Sequence, residues 1–211
     1  MTRPTQLRSG PVNHGRTVSR ALWALVGALT LGVAQLAPAQ APASRHGFWG
    51  AFGLGYGANG LSCSGGCSFN SDAKGGGVTA ALKLGGTPSP RVRLGGEVNL
   101  WSKDMSGVTE TVGNISAAVY LYPTARSGFF VKGGVGVASF QLSQGGSSAS
   151  ADGIGLLAGL GYDIRVSRKV SLSPIANFYF GHDGDLKDGS TVLIPGIKHA
   201  IVDFGLSVQY N

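Results

Sequence analysis

Near the end of the chain, residues His199–Tyr210 read HAIVDFGLSVQY, and this stretch decides the fold class. Its apolar side chains recur at every second position from Val202 to Tyr210, with small or polar residues between them. A period of two is typical of a β-strand whose faces meet different environments, whereas an amphipathic helix repeats every 3.6 residues. The stretch therefore predicts a strand with one apolar face and one polar face.

The same alternation recurs seven more times toward the N-terminus. The further predicted strands are Phe48–Ala58, Val78–Leu84, Val92–Trp101, Asn114–Tyr122, Phe129–Ala138, Ile154–Val166 and Val170–Phe180. The connections are long after the first, third, fifth and seventh strands and short after the others, an asymmetry typical of transmembrane barrels. Pro174 removes one ladder donor from the seventh strand, so a bulge or an open register is expected there. The pattern predicts an all-β fold, an eight-stranded antiparallel up-and-down transmembrane β-barrel.

The charges favour a membrane barrel over a soluble one. The apolar face carries no charge, and the opposite face carries Lys83, Arg93, Glu97, Lys132, Asp163, Arg165 and Asp203. An eight-stranded lumen is barely wide enough for side chains, so the large apolar residues must face lipid and the charges must face inward. We expect a lumen ion-pair network that plugs the barrel, in which Glu97 pairs with Lys83 and Arg93, and Asp203 meets cations of other strands.

Composition excludes several other classes. Only 13% of the 211 residues are charged, against about 25% in ordinary soluble domains, and 36 are glycine. The abundance of apolar residues argues against disorder. No stretch after residue 43 approaches the roughly 20 apolar residues of a membrane helix, which argues against a helical bundle.

The first 39 residues have the order of a secretory signal peptide. Four arginines precede the apolar run Ala21–Ala34, and small residues then lead to a predicted cleavage after Ala39. An N-terminal membrane anchor is the alternative, but the apolar run is short for a span. We expect a cleaved signal peptide at 1–39, a short N-terminal segment at 40–46 and the barrel domain at 47–211. Without the four signal arginines the charge falls from +7 to +3, so the basic composition does not indicate nucleic-acid binding.

The chain end and the overall pattern carry a family resemblance. Asp203, Gly205, Val208 and Tyr210 resemble the terminal assembly signal of bacterial outer-membrane barrels, although Asn211 follows the final aromatic residue. Residues 47–211 as a whole resemble the OmpA/OmpX-type small outer-membrane barrels, by architecture more than by a unique motif. The resemblance implies a Gram-negative-type outer membrane and, as partners, its lipids and lipopolysaccharide, the barrel insertion machinery and periplasmic chaperones. We also expect a monomer.

Two cysteines, Cys63 and Cys67, lie in the first long connection and frame residues 64–66. Exported proteins meet oxidising conditions, so a small loop disulfide is the favoured interpretation. A metal site is the alternative, but two cysteines without a nearby histidine fall short of four ligands.

Catalytic and metal-binding motifs are weak. A lipid-modifying barrel enzyme of the kind the resemblance allows would need a histidine with a serine two residues away on a lipid-facing strand, and neither His182 nor His199 has one. The acidic run Asp183, Asp185 and Asp188 could offer oxygen ligands to Ca²⁺ but lacks a closing Glu, so a solvated acidic loop is favoured. We expect no catalytic residue, metal or cofactor.

The expected function is a structural or surface-interaction role through the extracellular loops, with a ligand that the sequence does not identify. General porin activity is disfavoured because side chains fill an eight-stranded lumen. The alternative is an outer-membrane lipid-modifying enzyme resembling lipid A deacylases or acyltransferases.

Overall fold

The computed structural model describes residues 45–64 and 75–211, so the predicted signal peptide lies outside the described residues. The described chain forms one antiparallel sheet and no helix long and apolar enough to cross a membrane. Its strands are β1 (Gly47–Cys63), β2 (Gly75–Ser89), β3 (Val92–Met105), β4 (Val108–Leu121), β5 (Phe129–Gln144), β6 (Ser147–Tyr162), β7 (Ile164–Arg165), β8 (Val170–Asp188) and β9 (Thr191–Tyr210).

The sheet closes on itself. Its strand order is β6-β5-β4-β3-β2-β1-β9-β8-β7, and β6 also pairs with β8. The two-residue β7 continues β6 past Asp163 and pairs with the start of β8, so β6 and β7 form a single strand of the barrel. The ladder is interrupted opposite Pro174, between the pairs Gly161–Ile175 and Ile164–Leu172. The prediction of an eight-stranded antiparallel barrel is confirmed.

The two faces of the barrel wall are as different as the sequence predicted. On β9, the apolar residues from Val202 to Tyr210 that share one face are each 47–68% exposed, whereas Asp203 between them is 2% exposed. The apolar band covers nine residues on β9, and nine on β5 from Phe129 to Val137. A tilted transmembrane strand needs about 9–11 residues, so the band matches the hydrocarbon thickness of a bilayer.

The long predicted connections are wrong at three of four places, because the strands continue through them. β3 and β4 are joined by Ser106–Gly107, and β5 and β6 by Gly145–Gly146. All four residues have positive φ, which is the requirement of the type I′ turns that close tight hairpins. Between β8 and β9 only residues 189–190 remain as a turn. We call this end of the barrel the hairpin end, and the opposite end, where β1 begins and β9 finishes, the terminal end.

The predicted strands end too early because, beyond the lipid band, the apolar side chains point into the barrel and the polar ones point outward. At the hairpin end, large apolar residues such as Phe140 and Ile197 point into the barrel and are at most 1% exposed. Their outward neighbours are polar, for example Gln141 and Lys198. A search for apolar residues on a single face therefore loses each strand at the point where it leaves the membrane.

Candidate functional site

A buried ionic cluster crosses the middle of the lumen. Lys132 on β5 donates to both carboxylate oxygens of Glu97 on β3, with Nζ 2.7 Å from each. The hydroxyls of Tyr120 on β4 and Tyr179 on β8 also donate to Glu97, at 2.7 and 2.8 Å. The carboxylate and the ammonium are at most 1% exposed. Three donors thus surround one carboxylate and join four strands from inside the barrel.

The partners of Glu97 differ in part from the expectation. Lys83, one of its predicted partners, stands directly opposite Glu97 in the register of β2 and β3. Arg93, the other, binds Asp163 instead. Asp203 accepts from the Asn177 amide at 2.6 Å and interacts electrostatically with Lys132 and Lys83 of other strands. Because the side chains cross the lumen, Glu97 and Arg93 have their oppositely charged partners on strands that are not neighbours of β3.

A second cluster fills the terminal end around Asp163. Its carboxylate lies 3.4 Å from Nη1 of Arg93 and accepts from the hydroxyls of Tyr122, at 2.9 Å, and Ser173, at 2.7 Å. Nη2 of Arg93 donates to the Asn211 side chain at 2.6 Å. Asn211, the departure from the terminal signal, therefore caps the cluster from the end of β9.

Arg45, in the segment that was expected only to precede the barrel, belongs to the same cluster. Its guanidinium stacks 3.7 Å from the ring centre of Tyr122, and Nε lies 3.9 Å from Asp163. It also donates to the carbonyls of Ala125 and Ser127, at 3.0 and 2.5 Å. With 3% of its surface exposed, Arg45 is buried at the terminal end of the lumen.

A third set of polar contacts lies toward the hairpin end. Asn59 donates to Glu110 at 2.7 Å, and Nδ1 of His199 lies 2.7 Å from the Asp183 carboxylate. Asn114 stands 3.4 Å from the other ring nitrogen of His199. All five residues are buried, so the expectation of a solvated acidic loop is wrong for Asp183.

Apolar side chains pack inside the barrel above these pairs. Trp101 is fully buried, and its indole nitrogen donates to the Gly57 carbonyl at 2.9 Å. The cluster also contains Val112, Phe140, Ala151, Leu186, Ile197 and Ile201. These buried side chains form a packed apolar layer at this end of the lumen.

Glycine makes room for the ionic cluster. A methyl group at Gly159 on β6 would lie 2.9 Å from Cε of Lys132 and 2.8 Å from Oδ1 of Asn177. Real Cβ atoms essentially never approach so closely, so a larger residue here would displace the lysine. The lumen is filled to the point where one wall position must have no side chain.

A small cavity remains inside the lumen. It measures about 10 Å³ and is lined in part by Asn99, Asn177 and Asp203. Both amide atoms of Asn99 and the Asn177 oxygen are buried without a protein partner in the described chain. A polar cavity of this size has room for a single bridging water.

The remaining sequence-predicted residues occupy varied places. Arg165 is half-buried on β7, and Cys63 ends β1, whereas Cys67 lies outside the described residues, so the disulfide stays a prediction. Val208 and Tyr210 lie on the lipid face of β9, whereas Asp203 is buried in the lumen. Gly205 is half-buried between them.

His182 and Asp188 are exposed near the hairpin end, and Asp185 accepts from the backbone nitrogen of Gly196 at 2.9 Å. The described residues hold no group of three His, Cys, Asp or Glu side chains that could bind a metal.

Sequence reasoning missed the tyrosines that organise the lumen, Tyr120, Tyr122 and Tyr179. The alternation of each strand is enough to identify them. Each tyrosine lies an even number of residues from the lumen-facing residues of its strand, as Lys132 does on β5. A tyrosine with inward parity in a membrane barrel brings a hydroxyl that needs a buried partner, which is a usable signal for a carboxylate nearby.

No protein-family model matches the chain, and no curated protein matches it. Among solved structures, the chain is similar to Neisserial surface protein A, with 16% identity, a TM-score of 0.50, and coverage of 76% of this chain and 96% of that one. It is also similar to Ail, the attachment invasion locus protein of Yersinia pestis, with 12% identity, a TM-score of 0.50, and coverage of 77% and 99%. Identities this low show the fold alone. The closed barrel, the apolar band and these likenesses confirm the resemblance at the level of fold: the chain has the fold of the small outer-membrane β-barrels.

Proposed function

We propose that the mature chain is a barrel of the cell outer membrane, exported by a signal peptide at residues 1–39, with a structural or surface-interaction role and no open pore. The observation that carries the proposal is the filling of the lumen at three levels. Arg45 and Arg93 close the terminal end, the Glu97–Lys132 pair crosses the middle, and the layer around Trp101 closes the hairpin end. What remains for function is the outside of the barrel.

Among the described residues, the β8–β9 hairpin projects furthest from the lipid band. Val192 and Leu193 near its turn are 46% and 53% exposed, although they lie some ten residues above the band on β9. Exposed neighbouring apolar residues outside the membrane favour a contact with another molecule. We assign the interaction role to this hairpin.

The charges at the hairpin end point to the chemistry of the partner. Among the described residues of this end, the exposed and half-exposed acidic ones are Asp104, Asp152, Asp185 and Asp188, and the cations are Lys103, Lys187 and Lys198. The solved Ail structure contains a heparin analogue, a polyanion. The mixed charge here disfavours a polyanion, so we propose a protein surface that offers an apolar contact.

The proposed partners in the cell envelope follow from the band and the strand order. Outer-membrane lipids, including lipopolysaccharide, surround the apolar band. The barrel insertion machinery and periplasmic chaperones engage the last strand with its exposed Val208 and Tyr210. We propose a monomer.

A lipid-modifying enzyme is the less supported function. Its base would be His199, which stands 2.7 Å from the Asp183 carboxylate. His199 is 1% exposed and faces the lumen, where an acyl chain in the membrane does not reach it. Release of fatty acid from lipopolysaccharide by purified protein would favour the enzyme over the interaction role.

Two measurements test the proposed function. Fractionation should place the protein in the outer membrane, and unheated samples should migrate differently from heated ones on gels. Cells that display the protein should then adhere to cultured cells more than control cells do. The double variant Val192→Ser/Leu193→Ser should lose that adhesion, while Ser147→Ala/Ser148→Ala on the β5–β6 hairpin should keep it. Equal adhesion by both variants would remove the β8–β9 hairpin from the proposal.

A further inference from the structure

The outer wall of the barrel has a groove across β3, β4 and β5. The groove measures about 530 Å³ and is an open depression rather than an enclosed pocket. Its lipid-facing lining consists of Leu94, Ala117, Val119, Gly133 and Val135, with Gly95, Ala118 and Gly134 between them in sequence. All of these residues are apolar or glycine, so the groove suits a hydrocarbon chain.

The strand register explains why the wall is hollow there. Leu94, Val119 and Gly133 form one row across the three strands, and Ala117 and Val135 belong to the next. Each row pairs large side chains with glycine or alanine, which leaves a depression between the larger ones. The depression lies in the half of the band next to the terminal end, because Gly133 is only four residues from the start of β5.

Two exposed arginines lie in the turns at the terminal ends of the three strands that carry the groove. Arg91 directly precedes β3, and its carbonyl accepts from the backbone nitrogen of Tyr122, the residue that follows β4. Arg126 lies in the connection from β4 to β5. At about 3.3 Å per residue, Leu94 lies about 10 Å along the strand from Arg91, which separates a headgroup from the upper part of its acyl chain.

The position of Arg126 is fixed by the protein. The carbonyls of Ala125 and Ser127, on either side of it, both accept from the buried guanidinium of Arg45. Ser127 also closes a turn by donating its backbone nitrogen to Thr124 at 3.1 Å. The backbone that carries Arg126 is therefore held in place while its side chain stays exposed.

The surrounding charge favours an anion. The described residues of the terminal end expose Arg91, Arg126, Arg168 and Lys169, whereas their acidic side chain, Asp163, is 7% exposed and already bound. Arginine binds phosphate oxygens in paired hydrogen bonds, which makes it suited to a lipid phosphate at the membrane surface.

We propose that this groove binds one anionic glycerophospholipid, with its phosphate on Arg91 and Arg126 and an acyl chain over Ala117 and Gly133. The site rests on the proposed membrane barrel, since the lipid reaches the groove only from the bilayer. The proposed lipid site goes beyond the proposed function, because it assigns a particular lipid class to a particular part of the barrel wall.

Native mass spectrometry of the refolded mature barrel tests the site. Phosphatidylglycerol and phosphatidylcholine with the same acyl chains are titrated in parallel. Wild-type protein should retain one phosphatidylglycerol at about fivefold lower lipid concentration than phosphatidylcholine. Arg91→Gln/Arg126→Gln should remove that preference, while Arg168→Gln/Lys169→Gln, which changes the same number of charges on another turn, should keep it.

A second pair of variants tests the groove itself. At Gly133 an added Cβ meets nothing closer than 3.8 Å, so Gly133→Leu fills the groove without a backbone clash, and it should weaken binding of both lipids. Ala176→Leu places the same side chain on the lipid face of β8 and should bind as wild type does.

Three outcomes would overturn the site. If Arg168→Gln/Lys169→Gln lost the preference for phosphatidylglycerol as fully as Arg91→Gln/Arg126→Gln, the lipid would be binding a diffuse basic surface. Unchanged lipid binding by Gly133→Leu would show that the lipid does not occupy the groove. A dimer that Gly133→Leu abolishes would assign the groove to a second copy of the chain. Heat-modifiable gel mobility is checked for every variant, so failure of the barrel itself is separated from loss of the lipid.

Discussion

The ammonium of Lys132 and the carboxylate of Glu97 meet at 2.7 Å across β4, which separates their strands. This pair is the centre of the lumen, and Tyr120 of the intervening β4 donates to the same carboxylate. The contact does not follow the ladder of neighbouring strands. It depends on the curvature of the closed wall, which brings the inward side chains of β3, β5 and β8 together.

The first prediction concerns this pair. Glu97→Gln should destabilise the barrel by about 3–5 kcal/mol, because it leaves the Lys132 ammonium buried without its counter-charge. Urea unfolding followed by gel mobility measures the loss. The double variant Glu97→Gln/Lys132→Met should recover much of it, since no unpaired charge then remains. Equal stability of the wild type and Glu97→Gln would contradict the buried pair.

The second prediction concerns the lipid face. Leu160 on β6 is 50% exposed within the band, whereas Leu157 on the same strand is 3% exposed and faces the lumen. Leu160→Arg should impair insertion or cost about 2–4 kcal/mol, as cations near a bilayer midplane do. Leu157→Arg should instead act by crowding the lumen and adding a cation to it. Insertion into vesicles is the measurement, with Ser148→Arg on the β5–β6 hairpin as control. Insertion of Leu160→Arg at the level of Ser148→Arg would reject the face assignment.

The wall of the barrel was predictable because contact with lipid requires apolar side chains on its outer face. Every strand in the band must show apolar side chains outward, and in a strand that requirement appears as a strict alternation. Phe204 and Leu206, outward, and Asp203, inward, were therefore placed correctly from parity alone. Even Pro174 could be read, because a residue without a backbone N–H interrupts a ladder wherever it lies.

The lumen and the hairpin end were less predictable for different reasons. Contacts across the lumen depend on how far each strand is shifted around the barrel, so Arg93 was paired with Glu97 when it binds Asp163. The strand ends were missed because water replaces lipid there and the apolar side moves inward. The pair Gly145–Gly146 was an available signal, since two adjacent glycines favour a type I′ hairpin.

The third prediction tests the apolar layer of the hairpin end. Trp101 is fully buried inside the barrel, whereas Phe204 is 68% exposed to the lipid side. Trp101→Ala should cost about 3–5 kcal/mol, because it leaves a cavity among packed side chains. Phe204→Ala removes a comparable ring that lipid can replace, so its cost in lipid vesicles should be much smaller. Equal costs in the same unfolding measurement would place Trp101 outside a packed core.

The fourth prediction concerns Cys63 and Cys67. In exported protein both thiols should resist alkylating reagents until a reductant is added, because the predicted loop disulfide protects them. The double Cys→Ser variant should still fold, since a loop this short restricts the unfolded chain little and the barrel ladder supplies the stability. Mass spectrometry counts the alkyl groups. Two alkylated cysteines in oxidised, exported protein would refute the bridge.

The fifth prediction concerns conductance. Three closures lie in series along the lumen: the cluster of Arg45 and Arg93, the Glu97–Lys132 pair, and the layer around Trp101. Wild-type protein in planar bilayers should therefore show no large, stable, ohmic channel. Glu97→Gln releases Lys132 from its carboxylate and loosens only the middle closure.

The variant should accordingly give no more than small and irregular openings, because the closures at the two ends remain. A control sample of the same chain that lacks heat-modifiable mobility, and is therefore unfolded, would show how much current comes from leakage around unfolded protein. A large steady conductance in the wild type would mean that the lumen is open to ions, and the interaction role would then give way to that of a porin.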